Sequence, residues 1–518
     1  DGTILPWGWE RGAGDGWAAV AHDGAQAARS RDASRWIHHY EHALRPGRLP
    51  PQISRDLRPR RIAACDGVDA DLSATAPFAE ASTTAQATAG FAALLTGRPV
   101  TVPARTTVRV LLDLGDYRCG YLRLRLSGGA GAMVWGGIGE ALHAPGAPLA
   151  KGRRDVISGK VFTSPCARFL ADGGNGRDHG WLWWRSGRHL LLAVRTADAP
   201  LAIDDCVLEE CGYPLVDEGS FASDDAGFDG LLPLCVRTLQ ACQHESFMDC
   251  PFYEQQLWVG DMLPQVLGTY AMTVDDRLVR RCLEFLADTR WNNRLVMGRY
   301  PAPQDLAIPS FALWWVQMVS DHALWRGDPA FVRRLLPAAR GTLDWCLAHC
   351  GDDGLVRTPA GWDFVDWAKG WFHGCPPDGQ PGPSAVFNLH LAGTLARHAD
   401  VERWLGEDEL ARRFRRLAKG IAAATVAACH DPATGILHDD PAHRHQSEHT
   451  QVLALLSGLV GGAARRDARR ALVRQTCPVR CNLFFEHHLI EALGRLGDGA
   501  GIRRRYAPYA QFAAEGLS

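Results

Sequence analysis

No run of about 18 apolar residues occurs in the chain, so no helix crossing a bilayer is expected. No CxxC pair occurs among the 15 cysteines, whose number is odd and whose spacing is irregular. They read as reduced, half-buried core thiols rather than as metal ligands, which favours a reducing, cytoplasmic setting. Cys346/Cys350 and Cys477/Cys481 stand four apart, a spacing that would place each pair on one helix face. Basic charge is not in excess: 56 Lys and Arg face 58 Asp and Glu, a net −2, so nucleic acid and anionic membranes are not expected partners. No repeat of about 34 or 40 residues recurs, which argues against a helical solenoid. The chain opens at Asp1 without Met or a signal-like segment, and it is expected to be a processed or partial sequence.

What is present is ordinary in bulk. With 518 residues, two to four folding units are expected. Apolar content of 46% and charged content of 22% are those of a globular protein, so function has to be read from local patterns. Trp is frequent at 18 residues. Indoles stack on sugar rings, although buried indoles are commoner.

Residues 1–95 are rich in Ala, Gly, Arg and Asp with weak periodicity; Arg31 to Ala43 reads as a short helix. From Pro99, segments such as "TTVRVLLDLG" and "GYLRLRLSG" alternate apolar and polar residues between Gly, Pro and Asp. That pattern predicts an antiparallel β-sandwich over 96–218. After Ser223 the period becomes helical, beginning with "FDGLLPLCVRTLQACQH". Further helices are predicted near 258–272, 276–291, 308–326, 330–349, 384–399, 407–429, 447–460, 465–475 and 482–496. So many short-looped helices with almost no strand signal predict a closed ring of helix pairs over 219–518, an (α/α)6 six-hairpin barrel.

The densest chemistry lies in "HESFMDCPFYEQQLWVGDM", residues 244–262. Asp249, Glu254 and Asp261 alternate there with Phe252, Tyr253 and Trp258. Pro251 interrupts any helix, and Gly260 is expected to allow an unusual backbone. Glycosidic cleavage needs a protonated acid at the leaving oxygen and a second carboxylate to activate water or attack carbon. An acid against aromatic surface keeps its proton more readily, which suits Glu254 beside Tyr253 and Trp258. Asp249 and Asp261 suit hydrogen bonds from sugar hydroxyls. The alternative is that the two aspartates only cap helices.

The loop resembles the family 78 α-L-rhamnosidases, whose pattern is Asp-Cys-Pro-x-Arg-Glu-x-x-x-Trp-x-Gly-Asp. Here Asp249, Cys250, Pro251, Glu254, Trp258, Gly260 and Asp261 match, and Tyr253 stands in place of the Arg. The resemblance, which covers roughly 96–518, implies inverting hydrolysis of terminal α-L-rhamnosides. It implies Glu254 as general acid, with Asp249 and Asp261 on the rhamnose hydroxyls and Tyr253 and Trp258 beside them. "GWDFVDWAKG" resembles a family segment, making Trp362, Asp366 and Trp367 candidates for the sugar pocket, with Trp367 equally readable as a core indole. "HQSEHTQVLALLSGL" resembles a segment that brings a His to the site, here His449, which is otherwise a structural histidine at a helix start.

The family's second glutamate, the base, follows the last long helices and is expected beyond Ser518. Glu486 is the nearest candidate by position, but its helix reads it as a surface residue. The expected partner is a rhamnosylated carbohydrate. No cofactor and no metal are implied, and the oligomeric state is open. Two rivals stand: a related six-hairpin enzyme, such as a rhamnose–glucuronate lyase or another glycosidase, and a non-catalytic sugar-binding protein.

Overall fold

The structure is a computed structural model that describes residues 47–67, 77–78, 90–290, 295–302, 304–358, 361–377 and 382–517. The helix expected at Arg31 to Ala43 lies outside the described residues. The chain divides into two compact units, 1–214 with 514–518, and 215–513.

The first unit is built on a nine-stranded antiparallel sheet. Its strands are β1 (Arg55–Leu57), β2 (Arg61–Gly67), β3 (Val100–Val102), β4 (Thr107–Gly128), β5 (Met133–Gly139), β6 (Cys166–Leu170), β7 (Arg177–Gly180), β8 (Arg185–Arg195) and β9 (Leu201–Glu210). β1 and β2 thus lie ahead of residue 96. The long β4 runs through the middle of this sheet. Its first half pairs with β2 and β8, and its second half pairs with β9 and β7. The register breaks between Asp113 and Arg118, where Gly115 takes a positive φ of 87°. Such a break bends the strand and lets the single sheet curl. Asp113 holds the bend: it is buried, accepts from the Gly115 amide at 2.8 Å, and is paired with Arg61 and Arg188. Burial works against its charge, but Arg188 and the Gly115 amide outweigh it and keep the carboxyl well below the usual range. Alternation then sorts the side chains. Leu122, Leu124 and Leu126 enter the core with Leu190, Leu192, Val194, Leu201 and Ile203, while Arg125 faces out and meets Asp178 across the strands.

The second unit carries twelve α-helices among the described residues. They are α1 (Ala226–Ala241), α2 (Val259–Met272), α3 (Arg277–Asp288), α4 (Pro309–Arg326), α5 (Pro329–Leu347), α6 (Ala385–Trp404), α7 (Asp408–Cys429), α8 (Glu448–Ser457), α9 (Gly462–Arg474), α10 (Glu486–Arg495), α11 (Gly499–Tyr506) and α12 (Ala510–Ala514). Burial separates them into two sets. In α4 every residue from Pro309 to His322 is buried, and α6 and α8 are buried nearly all round. In α3, α7 and α9 only one stripe is buried. A helix apolar on every side needs neighbours on every side, whereas a striped one covers a core and faces water. The even-numbered helices α2, α4, α6, α8 and α10 accordingly pack in succession as an inner ring; α4, α6, α8 and α10 each pack against their odd-numbered successor, and α3 packs against α4 and α5. α1 bridges the ends of the series: its Leu239 lies against Gly268 of α2, and its Phe228 meets Tyr506 of α11. This is the predicted six-hairpin arrangement.

All fifteen cysteines are free thiols. Neither four-apart pair shares a helix face, contrary to the spacing argument. Cys346 is in the last turn of α5 and Cys350 lies beyond it, while Cys477 and Cys481 are in the non-helical approach to α10. No helix among the described residues is long and apolar enough to cross a membrane.

Candidate active site

The inner helices all begin at one end of the ring, and the loops feeding those beginnings carry the predicted residues. The loop 242–258 is tied to α2 from behind. Met248 offers its carbonyl to Gln265 of α2 at 2.7 Å, and Gln243 donates to Thr269 at 3.0 Å. Asp249 closes the loop on itself, donating its amide to the Gln256 carbonyl at 2.9 Å and accepting the Gln256 amide at 3.1 Å. Between these anchors Gln255 is held at a φ of +53°, a left-handed conformation costly for a residue with a Cβ. Neither aspartate is a helix N-cap. Asp249 clamps the loop, and Asp261 is the third residue of α2, whose N-cap is Trp258.

Glu254 projects from this loop as an exposed side chain. The Trp258 indole N–H donates to one of its carboxylate oxygens at 2.7 Å. Its negative charge is felt at both Asp249 and Asp261, so the three carboxyls form one electrostatic group. The low-polarity setting expected around Glu254 is found instead around Asp261. Burial, then the charges of Asp249 and Glu254, push the Asp261 carboxyl up to about 7. Burial also raises Asp249.

Aromatic rings line this end. Trp258 meets Trp362 edge-on at 5.8 Å, Trp362 meets Phe364 at 5.7 Å, and Phe364 meets Trp367 at 4.9 Å. Trp367 is 56% exposed, so it is not a core indole. Tyr253 is also exposed, edge-on to Phe252 at 4.8 Å. Gly260 does not have the unusual backbone expected of it. Its need is for space: a Cβ there would stand 2.5 Å from Phe311 and 2.8 Å from Phe484.

The segment 362–367 is pinned to the inner helices by its two aspartates. Asp363 accepts the Ser310 amide in the first turn of α4 at 3.0 Å, and burial pushes its carboxyl up to about 6. Asp366 is fully buried; its Oδ2 accepts from Nε2 of His449 and from the Asn482 amide, both at 2.7 Å. His449 is fully buried too, between the rings of Trp371 and Phe485. Asp366 and His449 are therefore a pair beneath the aromatic rings, whereas Trp362 and Trp367 stand in the surface layer.

Arg299 escaped the sequence reading, and the surface position read for Glu486 is corrected by the structure. Arg299 places its guanidinium 5.0 Å from the Trp258 ring, on a strand-like contact in which Val259 donates its amide to Gly298. Glu486 is not on a helix surface: it is 6% exposed in the first turn of α10, beside Arg505 at 3.4 Å. Burial pushes its carboxyl up to about 7. The Arg505 that covers it arrives from α11, which no periodicity within "NLFFEHHLIEALGRLG" could announce.

Paired helices in two concentric rings, with carboxyls and indoles at the inner starts, are the architecture of the six-hairpin glycosidase class. Residues 217–481 match the bacterial alpha-L-rhamnosidase six-hairpin glycosidase domain, and with over half its length matched the chain belongs to that family. No curated protein matches. Among solved structures it is similar to the GH78 family rhamnosidase of Bacillus sp. GL1, at TM-score 0.70 and 25% identity over 81% of this chain. It also resembles in fold the Klebsiella oxytoca rhamnosidase with rhamnose bound, at 0.70 and 21% over 90% of this chain and 88% of the other. The Streptomyces avermitilis α-L-rhamnosidase complexed with L-rhamnose gives 0.57 and 18% over 78% of this chain and 38% of that one. The chain spans 43% of the length of the Bacillus relative.

Proposed function

We propose that the helical unit hydrolyses terminal α-L-rhamnosides with inversion, Glu254 delivering the proton to the departing oxygen. One observation carries the reading: Asp249, Glu254 and Asp261 act electrostatically on one another at the inner-ring end, and Trp258 fixes the orientation of Glu254. A sugar seated on Trp367 and Trp362 excludes water from Glu254. Leaving-group departure requires a protonated acid held at the glycosidic oxygen, and the Trp258 hydrogen bond holds Glu254 in place for it. Asp261 in its neutral form donates to a sugar hydroxyl, and Asp249 in its charged form accepts from another. Tyr253 borders the same opening, and Asp366 with His449 holds the Trp367 segment from below. No described residue is assigned as the base.

The assay is turnover of a chromogenic α-L-rhamnoside by the chain and by Glu254→Gln. Removing the proton donor while keeping its shape is expected to lower kcat by roughly 10²–10⁴-fold. An equal rate in the variant sinks the assignment. A product absorbing in the ultraviolet would move the site to the lyase reading.

A further inference from the structure

The hairpin that follows α7 gathers a second set of chemically able side chains, remote in sequence from the acidic loop. Asp431 ends the two-residue strand β10 (His430–Asp431), which pairs with β11 (Ile436–Leu437). His438 follows β11 directly, and His443 sits in the tight loop after it. One ligand atom from each of Asp431, His438 and His443 lies within 4.8 Å of the other two. We infer that these three residues bind one divalent cation of the zinc class.

Four observations converge. First, His438 is 3% exposed, and neither ring nitrogen makes a hydrogen bond of ordinary geometry among the described residues. The main chain of His445 lies within loose hydrogen-bond reach of one ring nitrogen, which leaves the other unmet. A buried imidazole with one ring nitrogen unmet forfeits a hydrogen bond it had in water, and a metal bond replaces it. Second, His443 Nε2 lies 3.0 Å from the Ala428 carbonyl oxygen. A carbonyl only accepts, so Nε2 carries the proton and the neutral ring presents a bare Nδ1. Metal-ligating histidines have this arrangement, with the second nitrogen donating to a carbonyl. Third, the backbone of His443 has a φ of +57°, and Asp440 holds that loop by accepting the amides of Ala442 and His445 at 3.0 and 2.9 Å. The loop stacks the His443 ring on His438 at 4.5 Å and 9°. Fourth, the Asp431 carboxylate accepts from the Ala433 amide and from the hydroxyl and amide of Thr434, and its two oxygens together offer about four lone-pair sites, so room for a cation remains.

Two imidazoles and one carboxylate make a zinc-type ligand set with a fourth position open to water. Ligands about 2.1 Å from a tetrahedral zinc stand about 3.4 Å apart, so the set has to tighten, and binding tilts the exposed His443 ring off its parallel stack on His438. The cation would clamp the hairpin to the loop that leads into α8. Asp439 in that loop already accepts from Ser447 and Thr450, at 2.8 and 2.5 Å, at the start of the helix that carries His449. The other compact cluster, His487, His488 and Glu491, is a poorer site. Its Glu491 is held by Arg397 and Arg495, and its His488 stacks on Trp314 at 4.1 Å.

The probe is Co²⁺ added to the chelator-treated chain, read by d–d absorption and then displaced with Zn²⁺. One equivalent with nitrogen and oxygen ligands and no thiolate charge-transfer band is expected. His438→Ala and His443→Ala each remove a direct ligand and should weaken binding by at least the roughly 10–100-fold that loss of an outer-shell partner costs, while His487→Ala should leave it unchanged. Far-ultraviolet circular dichroism checks folding. Should His438→Ala unfold, His443→Ala carries the result, because its ring is exposed. Absence of saturable binding, a thiolate band, or unaltered binding in His443→Ala overturns the site.

Discussion

Trp258 donates its indole N–H to the Glu254 carboxylate across 2.7 Å, and its ring carries Arg299 on one face and Trp362 on its edge. The indole therefore sets the position of the proposed acid, and its own position is set by neighbours from two other loops. Trp258→Phe keeps an aromatic ring and deletes the donor. Loss of a charge-assisted hydrogen bond is worth about 1.5–3 kcal/mol, so kcat/KM for an aryl rhamnoside should fall by roughly 10–100-fold with little change in melting temperature. A melting temperature that falls while the rate per folded molecule holds would make Trp258 a packing residue only.

Gly260 is the motif position whose reason is purely steric. A Cβ would meet Phe311 and Phe484, two rings stacked 6.2 Å apart that floor the aromatic layer. Overpacking of this kind costs about 1–3 kcal/mol. Gly260→Ala should lower the unfolding midpoint accordingly and disturb Trp258 fluorescence. An unaltered midpoint would show that the rings yield without cost.

These two positions also mark how far sequence reaches. Helix extents followed periodicity closely: 258–272 was read and Val259–Met272 is found, 407–429 was read and Asp408–Cys429 is found. The helix read as 384–399 runs on to Trp404, because its last turns are held by His398, Glu402 and Arg340 from another helix. The Asp-Cys-Pro to Gly-Asp stretch was legible because one loop supplies most of the acidic group. Arg299, the burial of Glu486 and the Asp366–His449 pair were not, since each depends on packing between segments far apart in the chain. β1 and β2 were missed because three- and seven-residue strands in an Ala- and Arg-rich region alternate too briefly to be seen.

Asp261 and Glu486 each carry a carboxyl raised to about 7, against an ordinary value near 4. In the native state both hold protons that the unfolded chain releases between about pH 4 and pH 7. Native protein then binds more protons than unfolded protein, so stability falls as pH rises through that window and levels off above it. Asp261→Asn cannot ionise. It should flatten part of the fall and gain about 1 kcal/mol or more relative to the parent above pH 7. Urea midpoints at pH 5 and pH 8 give the comparison. A difference between the two proteins that does not change with pH would mean that Asp261 titrates normally.

His449 and Asp366 test whether the pair beneath the aromatic layer positions the site or touches the sugar. Both side chains are fully buried, and the bond between them joins the start of α8 to the segment that presents Trp367. His449→Ala strips a buried carboxylate of one of its two donors and leaves a cavity, a loss of about 3–5 kcal/mol by the usual cost of breaking a buried pair. His449→Gln restores an N–H of similar reach and should recover part of the stability. A positioning role predicts that activity follows stability through the series and that KM rises as Trp367 loses its support. A sugar-contacting role predicts the reverse: a fall in kcat/KM in His449→Gln at full stability. Melting curves and steady-state kinetics on the same preparations separate the two, and the complete burial of the imidazole favours the first.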